Sequence, residues 1–337
     1  MARAVKPTRL RATAGAVALA SAGYASAIGL ARRPPGQVPD RALIEATLDR
    51  WLAELGASGR HHYLVTPVGR VHVVELGQGS QTLIFLHGLG ASVGEYFGLL
   101  TELARHYRVI GIDRPGSGLS DPVRFSGHPR PAWNQVVMAV AAALGVTRFD
   151  VVGHSLGGLA AGGFAVDHPE QVRHLVLLSP VGLSRQLPWF WALAMVPGMT
   201  DWINVASRLA MARQSRDIAA VPGAGWGPVR IGSDLASYRY QVGLRFGRGS
   251  DFELIPRLMR PFAFRPETLL LPALNALADR TVVVWGARDD QVALAPARQQ
   301  LQGYPAIRLE VLPEAGHLFP FEDPVLTAQL VSAWLAG

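Results

Sequence analysis

A chain of 337 residues, 49% hydrophobic and 17% charged, is long enough for one large α/β domain with an insertion and too apolar for extensive disorder. It has no cysteine, which excludes disulfides, thiolate metal sites and a cysteine nucleophile. The net charge of +7 resides almost wholly in Arg3, Lys6, Arg9, Arg11, Arg32 and Arg33, all ahead of the first acidic residue, Asp40; without those six the remainder stands at +1, which argues against a nucleic-acid-binding face.

From Ala12 to Ala31 no residue is charged and alanine dominates. Basic residues before this run and Ala25-Ser26-Ala27 within it match a secretory signal peptide, while its length suits a weak membrane span. An organelle transit peptide and a soluble helix stay open. Residues 1–39 are expected to export or anchor the protein.

After Pro34-Pro35-Gly36, the spacing of Leu43, Ile44, Leu48, Trp51 and Leu52 predicts a helix over Arg41 to Leu55. Tyr63-Leu64-Val65 and Val71 to Val74 then read as a hairpin, and Thr82 to Leu86 as a third strand. Next come a helix from Tyr96 to His106, a strand at Val109 to Ile112, a helix from Trp133 to Leu144 and a strand reaching Val151-Val152. A helix from Leu156 to about Val166 leads to the sixth strand, Leu175 to Leu178; strands at Val282 to Trp285 and Leu309 to Leu312 precede a last helix, Pro324 to Leu335. Near-continuous apolar strands between helices predict an α/β fold. It is a mostly parallel, mixed eight-stranded sheet with helices on both faces and an antiparallel edge from the first hairpin.

Residues 181–280 break this alternation after the sixth strand. They are too apolar for a disordered loop and hold Trp189, Trp191, Trp202 and Trp226. They read as a mainly helical lid inserted into a core made of residues 40–180 and 281–337. Ligands of open parallel sheets bind at the carboxyl ends of the strands, so such a lid covers the site and its tryptophans are candidate substrate contacts.

Four signals fall at strand ends. Gly153-His154-Ser155-Leu156-Gly157 is a G-x-S-x-G pattern, weak alone in a chain with 36 glycines, but set where a strand passes into a helix. Gly286-Ala287-Arg288-Asp289-Asp290 brings a carboxylate, Glu314-Ala315-Gly316-His317 an imidazole, and His87-Gly88-Leu89-Gly90 flexible backbone N–H groups to the same rim.

With these motifs, the run Asp113 to Asp121 and the order Ser…Asp…His, the chain resembles the α/β-hydrolase fold family from about Tyr63 to Leu335. The resemblance implies a Ser155–Asp289–His317 triad, with Asp290 the neighbouring alternative acid, and an oxyanion hole made by the backbone N–H groups of Leu89 and Leu156. His87 and His154 are expected to shape their loops, and Asp113 to brace the loop from Arg114 to Ser120. No cofactor and no metal site is expected.

Serine at position 155 sets the chain apart from the epoxide hydrolases and haloalkane dehalogenases of this fold, which carry aspartate there. Carbon–carbon bond hydrolases commonly have tryptophan soon after the catalytic histidine, whereas His317 is followed by Leu318-Phe319-Pro320. The resemblance is thus to carboxylesterases, including lysophospholipase-like and monoacylglycerol-lipase-like enzymes, acting on a small hydrophobic ester. A cofactor-free haloperoxidase or perhydrolase, a carbon–carbon bond hydrolase and a non-catalytic ligand-binding member are the alternatives. The oligomeric state is not legible.

Overall fold

A computed structural model describes residues 40–186, 251–260 and 263–336, together with Met199, Tyr238 and Val242. The expected export or anchor segment at 1–39, most of the expected lid, and Trp189, Trp191, Trp202 and Trp226 lie outside the described residues.

The main sheet has eight strands: β1 (Gly59–Thr66), β2 (Gly69–Leu76), β3 (Thr82–Leu86), β4 (Arg108–Ile112), β5 (Phe149–His154), β6 (Val172–Leu178), β9 (Thr281–Gly286) and β10 (Arg308–Leu312). Their spatial order is β1-β2-β4-β3-β5-β6-β9-β10. The pairs β1–β2 and β2–β4 are antiparallel, and every other pair is parallel. This is the mixed, mostly parallel α/β sheet that the sequence predicts.

The strands are apolar on both faces because both faces are covered. Ile84, Leu86, Ile110, Ile112, Val151, Leu175, Leu177 and Val283 point to one side, against α3 (Arg130–Ala143) and α4 (Leu156–Asp167). Their sequence neighbours Leu83, Phe85, Val109, Val152, Val176 and Val282 point to the other, against α1 (Arg41–Glu54), α2 (Phe97–Ala104) and α8 (Pro324–Leu335). The alternation is the two-residue period of an extended strand.

The expected helix from Tyr96 begins as a 3₁₀ turn at Val93–Tyr96 before α2. In α1 the buried stripe is Ile44, Leu48, Trp51 and Leu52, while Leu43 is 57% exposed. One residue back from Ile44 is a turn of about 100°, which carries Leu43 off the stripe.

Within the span read as a lid, the described residues include α5 (Ile255–Leu258) and a two-residue hairpin, β7 (Met259–Arg260) with β8 (Ala263–Phe264). The chain rejoins the core before residue 281: Leu270, Leu274 and Leu277 are buried in the cluster that α4 covers, and Leu270 N–H donates to the Gly182 carbonyl. After β9, α6 (Leu294–Leu301) leads to β10, and the short helix α7 (Phe319–Glu322) follows the His317 loop.

Candidate active site

β5 runs through the centre of the sheet and ends at His154, and α4 begins at Leu156, so Ser155 must reverse the chain alone. It does so at φ 55° and ψ −117°, a conformation rare for a residue with a Cβ and costing on the order of 1–3 kcal/mol. The flanking glycines make the turn fit. A Cβ on Gly153 would lie 2.3 Å from the Gly157 carbonyl oxygen, and one on Gly157 would lie 2.0 Å from the Leu86 carbonyl oxygen. The turn is fixed by Ser155 N–H donating to the Leu178 carbonyl at 2.9 Å and by the Ser155 carbonyl accepting Val181 N–H at 3.0 Å.

Asp289 follows β9 and His317 follows β10, and these two strands pair in parallel, so both loops emerge on the rim that carries Ser155. The loops touch at Gly286, where a Cβ would lie 2.4 Å from the Gly316 carbonyl oxygen. Arg288 N–H donates to the Ala315 carbonyl at 2.9 Å, and the Arg288 and Glu314 side chains form an ion pair outside. Between them His317 Nδ1 meets Asp289 Oδ2 at 2.7 Å, with the Asp289 side chain fully buried. The other carboxylate oxygen, Oδ1, accepts the N–H groups of Gln291 and Val292 at 2.9 and 2.8 Å. Asp289, not Asp290, therefore holds the imidazole. Asp290 is exposed, and its charge, after burial, helps to raise the Glu322 carboxyl above its ordinary value.

The loop after β3 is pinned from below. The Arg114 Nε and Nη2 groups donate to the carbonyls of His87 and Gly88 at 2.9 and 2.8 Å. His87 Nδ1 donates to the Gly88 carbonyl at 2.8 Å and its Nε2 accepts Arg114 N–H at 3.0 Å. Complete burial, then the Arg114 charge, push the His87 imidazole down to about 3, so it is neutral. With the carbonyls of 87 and 88 turned inward and held, the following Leu89 lines the cavity above Ser155. Leu156 lines it too, and as the first residue of α4 its N–H is one the helix cannot use internally. The positive end of the α4 dipole thus lies at the Ser155 turn, where negative charge is stabilised.

Asp113 supports this floor. Its Oδ1 accepts Val93 N–H at 2.7 Å, its Oδ2 accepts Leu119 N–H at 2.9 Å, and its carbonyl accepts the Ser120 hydroxyl at 2.6 Å. Burial opposes its ionisation most strongly of any one influence, but the hydrogen bond from His72 Nδ1 at 2.7 Å, the charges of His72 and His87 when protonated and the Val93 N–H together outweigh it and keep the carboxyl below its ordinary value.

Ser155 and His317 open into one cavity of about 540 Å³. Its walls are mainly apolar, with Leu89, Leu156, Phe252, Ile255, Met259 and Phe264 among them, and no lysine or arginine lines it among the described residues. The wall residues after position 250 were not singled out by the sequence. Their apolar spacing, over a helix of four residues and strands of two, is too short to carry a period. Among the described residues no three His, Asp or Glu groups could hold a metal ion.

Comparison with known proteins agrees with this architecture. The sequence model of the alpha/beta hydrolase fold matches residues 81–324. The chain is 28% identical over 257 residues to a 2-hydroxymuconate semialdehyde hydrolase of Pseudomonas sp. (strain CF600), covering 75% of this chain and 86% of that one. It is also 28% identical over 266 residues to the dihydrolipoyllysine-residue acetyltransferase component of an acetoin cleaving system from Cupriavidus necator, a longer protein of which it spans 63%. The crystal structure of naproxen esterase from Bacillus subtilis superposes with a TM-score of 0.65 at 21% identity, over 89% of this chain and 99% of that one. With its sheet order, its nucleophile-type turn and a family match over most of its length, the chain belongs to the α/β-hydrolase fold family and is a hydrolase.

Proposed function

We propose that the protein is a serine hydrolase that cleaves a hydrophobic carboxylic ester through an acyl-enzyme on Ser155. The observation that carries this reading is the buried Asp289–His317 hydrogen bond at the mouth of the cavity into which Ser155 projects. Asp289 accepts from Nδ1, which leaves the Nε2 lone pair of His317 as the base. A serine hydroxyl is a poor nucleophile at neutral pH, so its proton passes to Nε2 as Oγ bonds to the acyl carbon. Asp289 stabilises the imidazolium, and the Leu89 and Leu156 N–H groups stabilise the oxyanion. His317 returns the proton to the departing alkoxide, leaving an alcohol and the acyl-serine. Water, deprotonated by His317 in turn, attacks the acyl carbon; the bond to Oγ then breaks, His317 returns the proton to Oγ, and the acid leaves.

The apolar cavity supports a hydrophobic substrate class. At about 540 Å³ it falls within the common range for small-molecule sites, roughly 300–1,000 Å³, and its walls suit an acyl chain or another uncharged hydrophobic group. A second reading, hydrolysis of a carbon–carbon bond, is favoured by the hydroxymuconate semialdehyde hydrolase relative. That relative's named substrate is a carboxylate, and the described walls here offer no lysine or arginine to receive one.

The test is a panel of p-nitrophenyl esters of rising chain length, run beside an anionic dienone, with Ser155→Ala as control. We expect turnover of the longer esters, loss of at least about 10³-fold in Ser155→Ala, and covalent labelling of Ser155 by a fluorophosphonate. Dienone cleavage without ester turnover would favour the second reading. Peroxide-dependent halogenation exceeding ester turnover would identify a perhydrolase, and absence of labelling a ligand-binding member of the fold. The same reading takes residues 1–39 as an export or anchoring segment that delivers the hydrolase to or across a membrane.

A further inference from the structure

Two buried side chains beside the reacting groups, Tyr96 and His154, form a hydrogen-bonded chain whose direction is fixed by its ends. The His317 carbonyl can only accept, so His154 Nε2, 2.9 Å away, carries the ring hydrogen. His154 Nδ1 is then the acceptor, and it receives the Tyr96 hydroxyl at 2.7 Å. The phenolic oxygen in turn accepts Gly88 N–H at 3.1 Å. Hydrogens therefore point one way throughout, from Gly88 to Tyr96, from Tyr96 to His154, and from His154 to the His317 backbone. Tyr96 and His154 are 1% and 2% exposed. Burial, reinforced by the charge of His317 when protonated, holds His154 well below its ordinary value, so the ring stays neutral and the direction does not reverse.

Each end of this chain is a part of the site. Gly88 immediately precedes Leu89, His154 immediately precedes Ser155, and the terminal carbonyl belongs to His317. The three meet closely: a Cβ on Gly88 would lie 3.3 Å from Ser155 Cβ and 3.4 Å from both His154 Nδ1 and the Tyr96 hydroxyl oxygen. β3 and β5 pair directly, with Leu86 opposite Gly153, whereas β10 lies three places from β5 and shares no ladder with either, so the His154 contact is what ties its loop to theirs.

We infer that Tyr96 and His154 are positioning residues, holding the oxyanion loop, the nucleophile turn and the base loop in one catalytic register. This rests on the serine-hydrolase reading above. A hydrogen-bonded tie of this kind fixes the distance between donors at Leu89 and Leu156 and the His317 ring, the quantity on which acyl transfer depends most steeply. Tyr96 also packs its ring on Phe85 and Phe321, with centroids 4.7 and 4.3 Å away. Phenylalanine at position 96 keeps those ring contacts and removes the hydroxyl.

The experiment uses the full chain as Tyr96→Phe, His154→Leu and His154→Gln, with a p-nitrophenyl ester that the wild type turns over. Fluorophosphonate titration counts competent sites, and kcat is expressed per titrated site beside KM and the thermal midpoint. We expect kcat per site to fall about 10- to 100-fold in Tyr96→Phe and His154→Leu, with KM within about twofold. His154→Gln, whose amide both accepts and donates, should recover part of the loss. Unchanged kcat per site in Tyr96→Phe overturns the proposal, whether or not fewer sites titrate, because a merely structural role lowers the number of sites and not their speed. Should His154→Leu fail to fold, Tyr96→Phe still decides. A wild-type chain that takes no label overturns the serine-hydrolase reading and this proposal together, which separates that failure from the previous one.

Discussion

Asp289 is the residue whose role the geometry isolates most cleanly. One oxygen is occupied by two backbone N–H groups and the other faces the His317 Nδ1–H, so the carboxylate has no freedom to exchange partners. Asparagine fits the same space but can set an N–H against Nδ1, which turns the imidazole to the tautomer that cannot accept the serine proton. For Asp289→Asn we expect kcat to fall by about 10³- to 10⁴-fold with KM little changed, measured on the preferred ester; an activity within tenfold of wild type would remove Asp289 from the proposed triad. That Ser155, Asp289 and His317 share one rim was legible in the sequence because each sits in a short motif at a strand end, and topology gathers strand ends without further information. Asp289 could be preferred over Asp290 only on spacing, and the structure adds the reason, since Asp289 faces the buried loop contact and Asp290 faces solvent. The Tyr96–His154 bond was not legible. It joins residues 58 apart through a hydroxyl that no motif marks, and its direction depends on a carbonyl of a third loop.

At the scale of elements, strands that are apolar on both faces announced themselves, and their polar extensions did not. β1 was expected from Tyr63 and begins at Gly59, because Arg60, His61 and His62 find partners that the sequence alone does not display. His61 Nδ1 meets His72 Nε2 at 2.8 Å, and His62 Nε2 meets Glu75 Oε2 at 2.9 Å. The first helix was legible by its stripe, but not its neighbours. α1 lies on the core with Trp51 against the ring of Tyr238, centroids 4.9 Å apart, while the Tyr238 hydroxyl is 2.7 Å from Ser92 Oγ. It is capped by Asp40, tied to the sheet edge by the Arg41–Asp121 ion pair at 2.7 Å, and joined to β1 by the Tyr63 hydroxyl donating to Glu45. Among the described residues these anchors begin at Asp40, where the helix has a cap of its own. We expect a chain beginning at Asp40 to keep the ester turnover and urea unfolding midpoint of the full chain, and to lose the membrane recovery or export proposed for residues 1–39. Cell fractionation with intact mass measures this, and a full chain found in the cytosol with residues 1–39 intact would remove the targeting reading.

For the whole molecule, the site imposes a pH dependence on stability through histidines that are buried neutral. Burial, aided by the Arg114 charge, lowers His87 to about 3, and His154 also lies well below its ordinary value. Burial lowers His61 and His128 too, with the neighbouring His72 adding to the effect at His61. In the unfolded chain each imidazole binds a proton near pH 6.5. Below that pH the unfolded state therefore holds more protons than the folded one, and stability falls as pH falls, by up to about 1.4 kcal/mol per pH unit for each such group. His87 alone contributes a loss on the order of 4 kcal/mol between pH 6.5 and 3. Asp113 acts in the same direction at lower pH, since its depressed carboxyl gives stability that disappears as pH falls through its folded value. Glu322 acts the other way: raised by burial and by Asp290, it favours the folded state in acid, but it is one group against several. Unfolding free energies from urea titrations should thus be level above about pH 7 and fall steadily below about pH 6, the window running from the unfolded imidazole value down to the depressed folded one, about 3 for His87. The slope near pH 5 should be at least that of one proton, supplied by His87, with His154 adding to it in the same direction. A free energy that stays level from pH 7 to 5 would mean that these rings take up protons in the folded state. The hydrogen-bond directions at Gly88, Tyr96 and His317 would then have to be redrawn.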